Sequence, residues 1–124
     1  MSGSPEVSNS YTLIEGNEVI RRYFGRWPTF HDAEIIEMHL HRGEPSWLRV
    51  GTAIDGFHPE QKSGTVVFHF SKVHDLELND FSSQNVVSSI DFEKTEKGIK
   101  FLLGPCYGLQ GWLEVSGVSV ELAH

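Results

Sequence analysis

His31, Asp32 and Glu34 fall within one short stretch of the chain, and their types allow two kinds of chemistry. Two carboxylates at i and i+2 on a strand point to the same side, where they could share acid–base work in a hydrolytic step. A histidine beside them could join that work or bind a ligand. His39 and His41 repeat the same spacing, and with His69 from a later strand they could set three imidazoles on one sheet face as zinc ligands. Neither set comes with its usual companions. The chain has no cysteine pair, no His-Glu-x-x-His, no aspartate-rich loop and no phosphate-cradling glycine loop. Its one cysteine, Cys106, lies in Gly-Pro-Cys-Tyr-Gly, which is not a nucleophile context. The residues therefore read as those of a protein that is not an enzyme and uses no cofactor or metal. A small-ligand or metal-binding module built on His31/Asp32/Glu34, or on the His39/His41/His69 face, is the alternative.

The elements that must position these residues follow from periodicity. Asn17 to Phe24 reads as a short helix, with Val19, Ile20, Tyr23 and Phe24 on one face and Arg21 and Arg22 opposite. Gly25 supplies a left-handed stop and Pro28 prevents the helix from resuming. Asp32 to Leu40 reads as a strand with Ile36, Met38 and Leu40 inward. Asp32 and Glu34 share that parity, so they are expected on the core side, Asp32 accepting hydrogen bonds from turn N–H groups and His31 donating into the same network. Trp27 and Phe30 would pack beside them.

Arg42 to Pro45 reads as a turn, Leu48 to Ile54 as a strand, and His58 to Gly64 as a polar loop. Thr65 to Ser71 is a further strand with Val66, Phe68 and Phe70 on one side and Val67 and His69 on the other. Leu76 and Leu78 mark a short strand. Val86, Ile90 and Phe92 share a face in the next, which turns at Glu96-Lys97-Gly98 into Ile99, Phe101 and Leu103. Gly104 to Gly108 reads as a turn. In the long final strand, Leu109 to Leu122, the inward parity changes from Leu113 and Val115 to Val118, Val120 and Leu122, which calls for a bulge at Ser116-Gly117. The expected fold class is α+β, mostly β: a largely antiparallel sheet with an N-terminal helix packed against it.

With 124 residues, 39% of them hydrophobic and eight phenylalanines among them, the chain suffices for one domain with a real core. Residues 1–10 are polar and read as a disordered leader; residues 11–124 form the single domain. A lone cysteine and the lack of a long apolar run point to a cytoplasmic protein that does not meet a membrane. The net charge of −7 argues against nucleic acid as a direct partner and leaves room for a basic protein. Asp75, Glu77, Asp80, Asp91, Glu93 and Glu96 gather in the C-terminal half as a solvated rim or a docking face for such a protein.

Three segments in fixed order carry a family resemblance. The first is Tyr23-Phe24-Gly25-Arg26-Trp27-Pro28-Thr29-Phe30-His31-Asp32-Ala33-Glu34, with Thr29 where serine is expected. The second is Asp80 to Val87, containing Phe81, Gln84 and Asn85. The third is Cys106 to Gly111, containing Tyr107 and Gly108. Together they resemble the immunity proteins grouped as immunity protein 50, over a span from Ile14 to the C-terminus. The resemblance implies a bacterial immunity protein of a polymorphic toxin system that binds a cognate toxin domain and blocks it. It also implies that Trp27, Pro28, Phe30, His31, Asp32, Glu34, Gln84, Asn85, Tyr107 and Gly108 mark the fold, because partner-specific residues must differ between pairs. Trp47, Arg49, His58, Glu60 and Lys62 are the expected contacts to the toxin.

Overall fold

Local stop signals place the helix where periodicity expects it. In a computed structural model, which describes residues 10–41, 45–52 and 63–123 (side chains at 105 and 106 excepted), α1 spans Asn17–Phe24. It ends at Gly25 in the left-handed conformation, φ 85°, which glycine adopts without a Cβ clash. A 3-10 turn, Ser10–Leu13, precedes it. Asn17, Ile20 and Phe24 form the buried face, whereas Val19 is 46% exposed and is not part of it. The Asn17 amide donates to the Ile14 carbonyl at 2.8 Å and its Oδ1 accepts from Arg21 Nε at 2.9 Å, so the buried carboxamide is satisfied at both ends.

Eight strands follow among the described residues: β1 Ala33–His39, β2 Ser46–Thr52, β3 Gly64–Phe70, β4 Val73–Asn79, β5 Val86–Lys94, β6 Ile99–Tyr107, β7 Gln110–Val115 and β8 Val118–Ala123. They form one antiparallel sheet in the order β4-β7-β6-β5-β1-β2-β3-β8, with α1 packed on β8. The class is α+β and mostly β, as the patterning requires. The expected turn at 42–44, the end of the second strand beyond Thr52 and the loop at 58–62 lie outside the described residues, as do residues 1–9.

The sheet is strongly curled. β3 and β5 are separated by two strands, so in a flat sheet they would lie about 14 Å apart. Yet the rings of Phe68 and Phe92 are 6.0 Å apart and those of Phe68 and Phe101 5.1 Å. The concave side wraps an aromatic core of Phe30, Phe68, Phe70, Phe92 and Phe101, all buried. One corner brings the ends of the sheet together: Ser71 N donates to Gly117 O at 3.1 Å and Ser116 N to Lys72 O at 3.0 Å. There the chain passes from β3 into β4 and from β7 into β8, each pair changing partners at the bend. The parity change at Ser116-Gly117 is this corner, and the expected single final strand is two.

Two other expectations fail for the same physical reason. In β1, Ile35 pairs with Val50 and Glu37 with Arg49, so Ile36 is an extra residue in a bulge. Ala33 and Ile35 point inward before it, Met38 and Leu40 after it. Ile36 is therefore 52% exposed rather than in the core, and Asp32 and Glu34 are exposed rather than on the core side. In β5 the register also shifts between Val86 and Ser89, so Val87 is fully buried in the place expected for Val86. Gly104 to Tyr107 is strand rather than turn, since β6 continues along β5 to the pair Val86–Tyr107. Pro105 is tolerated there because the ladder with β7 ends at Leu103.

Candidate functional site

The segment from Trp27 to Glu34 is a packed corner. Pro28 and Phe30 are buried and Trp27 is partly so. The Trp27 ring stacks on Tyr11 at 5.2 Å and meets Phe30 edge-on at 5.7 Å and Phe92 at 6.1 Å. Phe30 has φ 58° and Asp32 φ 64°, conformations that bulky residues adopt rarely. The turn is closed by Ala33 N donating to Phe30 O at 3.0 Å, and Thr29 Oγ1 accepts from His31 N at 3.2 Å, which a serine hydroxyl would do equally. Burial of the Phe30 ring holds the backbone in this state. His31 Nε2 lies 3.6 Å from Asp32 Oδ2, and both side chains are at least half exposed.

Asn85 is the buried polar centre of the three segments. Its Oδ1 accepts from Ser82 N at 3.0 Å and Leu109 N at 2.9 Å, and its Nδ2 donates to Ser82 O at 2.9 Å. Its backbone carbonyl accepts from Ile35 N at 2.8 Å, which ties the loop before β5 to β1. Gly108, at φ 84°, sits against it: a Cβ there would stand 2.5 Å from Asn85 Oδ1. The structure thus brings Asn85, Gly108 and the start of β1 together. It leaves Gln84 and Tyr107 on the surface, Tyr107 at 59% exposure, with Glu34, Val86 and Tyr107 in one cross-strand row. Beside that row, Glu34, Ile36 and Phe81 line a shallow hollow of about 380 Å³, and Phe81 is 71% exposed.

The histidine face exists, but its histidines do not converge. His39 pairs across strands with Trp47 and Trp47 with His69, so an indole separates them. His39 stacks on Trp47 at 5.7 Å and on His41 at 6.1 Å, while His69 bonds to Glu121. Arg49 lies over Trp47 at 5.7 Å and its Nε is 3.4 Å from Glu37 Oε1. Among the described residues no three His, Cys, Asp or Glu side chains are placed to hold a metal ion. Of the expected toxin contacts, Trp47 and Arg49 share this outer face, and His58, Glu60 and Lys62 lie outside the described residues.

Residues 16–122 match the family model described as Immunity protein 50. The chain belongs to that family. No curated protein and no solved structure matches it significantly. The span of the Immunity protein 50 match contains α1 and all but the last residue of β8, so the bent sheet and the Asn85 centre lie inside it. No helix among the described residues is long and apolar enough to cross a membrane. Trp112, Leu102 and Glu114 stand on the outer face, the side opposite the inward Leu113, Val115, Phe101 and Leu103, but the pattern alone does not mark them as part of the acidic face of β4 and β5. The available signal was the alternation of acids around apolar residues in Asp75-Leu76-Glu77, Asp91-Phe92-Glu93 and Trp112-Leu113-Glu114.

Proposed function

We propose that this chain neutralises a cognate bacterial toxin domain by binding it directly in the cytoplasm of the producing cell, with no catalysis of its own. Membership of the Immunity protein 50 family is the observation that carries the reading. Physical chemistry supports it. A curled sheet with an aromatic core is a rigid platform, and pre-organised surfaces lose little entropy on binding. The net charge of −7 attracts a basic partner and speeds its approach. Large exposed apolar side chains such as Phe81, Ile36 and Tyr107 are not required by the core and provide contact area.

In this reading the motif residues act as scaffold: Trp27, Pro28, Phe30, Asn85 and Gly108 set the corner and the loop, and specificity lies elsewhere on the surface. No observation favours the ligand- or metal-binding alternative. The test is co-expression with the toxin domain encoded beside this chain's gene. Restored growth together with a stoichiometric complex on co-purification is the expected result. Undiminished toxicity and no complex would remove the reading.

A further inference from the structure

We infer that the toxin docks on the outer face of β5, β6, β7 and β4, with Trp112 and Leu102 as the apolar anchors, and that the surface it presents is rich in lysine and arginine. This rests on the toxin-binding reading above and assigns it a place.

Two adjacent rows of side chains cross these four strands. The register pairs Glu93 with Lys100, Lys100 with Glu114 and Glu114 with Asp75. The next row pairs Asp91 with Leu102, Leu102 with Trp112 and Trp112 with Glu77. All eight point outward, because Ile90, Phe92, Phe101, Leu103, Leu113 and Val115 between them are buried. The centre is therefore apolar, Leu102 and Trp112, and partly exposed; its rim carries five carboxylates and one base. Among the described residues the helix packs on β8 and the 3-10 turn on β5, and the outward side chains of β6, β7 and β4 in these rows are all at least partly exposed.

Charge decides the occupant. Lys100 stands between Glu93 and Glu114 in the register, yet its ammonium lies over the Trp112 ring at 4.5 Å. Among the described residues none of the five carboxylates forms an ion pair. Glu114 and Asp75 even face each other directly, an arrangement that destabilises a sheet. The other outer face is different: there Arg49 meets Glu37, His69 meets Glu121, and Trp47 is already covered by His39 and Arg49. Protection of an open sheet edge explains acids on β4, which ends the sheet, and on β5 beyond its short pairing with β1, but not Glu114 on β7, which is paired on both sides and faces Asp75. Unpaired carboxylates around a partly exposed indole suit a cationic protein surface that supplies the missing partners and excludes water from the aromatic centre. A second copy of the same acidic face would repel this one.

The experiment measures affinity and association rate between the full chain and the toxin domain encoded beside it. Trp112→Ala and the double variant Asp75→Lys/Glu77→Lys probe this face; Trp47→Ala and Arg49→Ala probe the other. Trp112→Ala is expected to weaken binding by about 30-fold or more, the loss of a central aromatic anchor. The double lysine variant is expected to slow association, and the difference from wild type is expected to shrink as salt is raised. Circular dichroism confirms folding; if Trp112→Ala does not fold, the double variant, on exposed positions, decides. Wild-type binding that both variants retain, or a loss confined to Trp47→Ala and Arg49→Ala, overturns this placement and leaves the toxin-binding reading standing. Failure of the wild type to bind removes both.

Discussion

The carboxamide of Asn85 holds three backbone groups, two at Ser82 in its own loop and one at Leu109 between β6 and β7, and no other side chain type offers the same donor and acceptor at that length. Removing it leaves Leu109 N–H buried without its acceptor, an expense of about 1–3 kcal/mol for such a group. Asn85→Ala is therefore expected to lower the unfolding free energy by roughly that amount in a urea titration. Asp of the same shape would keep the acceptor but lose the donor to Ser82 O, so Asn85→Asp should also destabilise. The acidic residues of the first family segment behave oppositely. Asp32 and Glu34 are exposed, and the double variant Asp32→Asn/Glu34→Gln is expected to change stability by less than about 0.5 kcal/mol, as surface substitutions do. A large loss on that double variant would mean that the two carboxylates brace the corner after all. The contrast shows what a family motif encodes here: the buried amide and the glycine beside it carry the geometry, and the histidine–acid run rides on the surface of the turn.

At the scale of elements, the parts that could be read from the chain are those whose causes are local. The helix has its apolar face, its left-handed glycine and its proline within a dozen positions, and its bounds come out as expected. The β3 alternation and the Glu96-Lys97-Gly98 turn are equally local, the turn closing with Thr95 N donating to Gly98 O at 2.9 Å. Reading failed where a strand's parity depends on its neighbour. The bulges in β1 and β5 flank the short β1–β5 pairing, which covers only Ala33–Val87 and Glu34–Val86. Past that point the two strands part. The Trp27 ring lies near this opening, between Tyr11 of the 3-10 turn and Phe92 of β5. A periodic count cannot foresee a residue inserted to let two strands diverge, so it puts Asp32, Glu34, Ile36 and Val86 on the wrong side. The packing role of Trp27 itself was legible, since a tryptophan before a proline at a helix exit has little else to do. Trp27→Ala is expected to cost about 3 kcal/mol or more by denaturant unfolding, because it removes contacts to four aromatic rings at once. A variant that unfolds at the wild-type midpoint would show that the 3-10 turn and β5 are held together by something else.

On the scale of the whole molecule, the two outer faces divide charge unequally, and the division has a stability consequence that is separate from binding. On the β1–β2–β3–β8 side Glu37 has Arg49 and Glu121 has His69 as a partner within the chain. On the β5–β6–β7–β4 side Asp75 faces Glu114 across the ladder and has Glu77 two residues along the same side, with no base opposite it in the register. Free protein pays for this repulsion, since cross-strand pairs are worth a few tenths of a kcal/mol to about 1 and like charges act with the opposite sign. Asp75→Asn removes the charge but can keep the hydrogen bond that Asp75 Oδ1 accepts from Leu76 N at 2.9 Å. The isolated variant is accordingly expected to be more stable than wild type by about 0.2–0.5 kcal/mol at low salt, with the gain fading as the ionic strength rises toward 1 M. In the proposed toxin complex the same substitution is expected to weaken binding, because it removes a carboxylate from the face assigned to a basic partner. Opposite signs for folding and binding are what a surface retained for a partner should give, since residues kept for function are often not those best for stability. If Asp75→Asn destabilised the free chain, the acids would be part of the fold's own electrostatics. If it stabilised the chain and left the complex untouched, the toxin would sit elsewhere on the molecule.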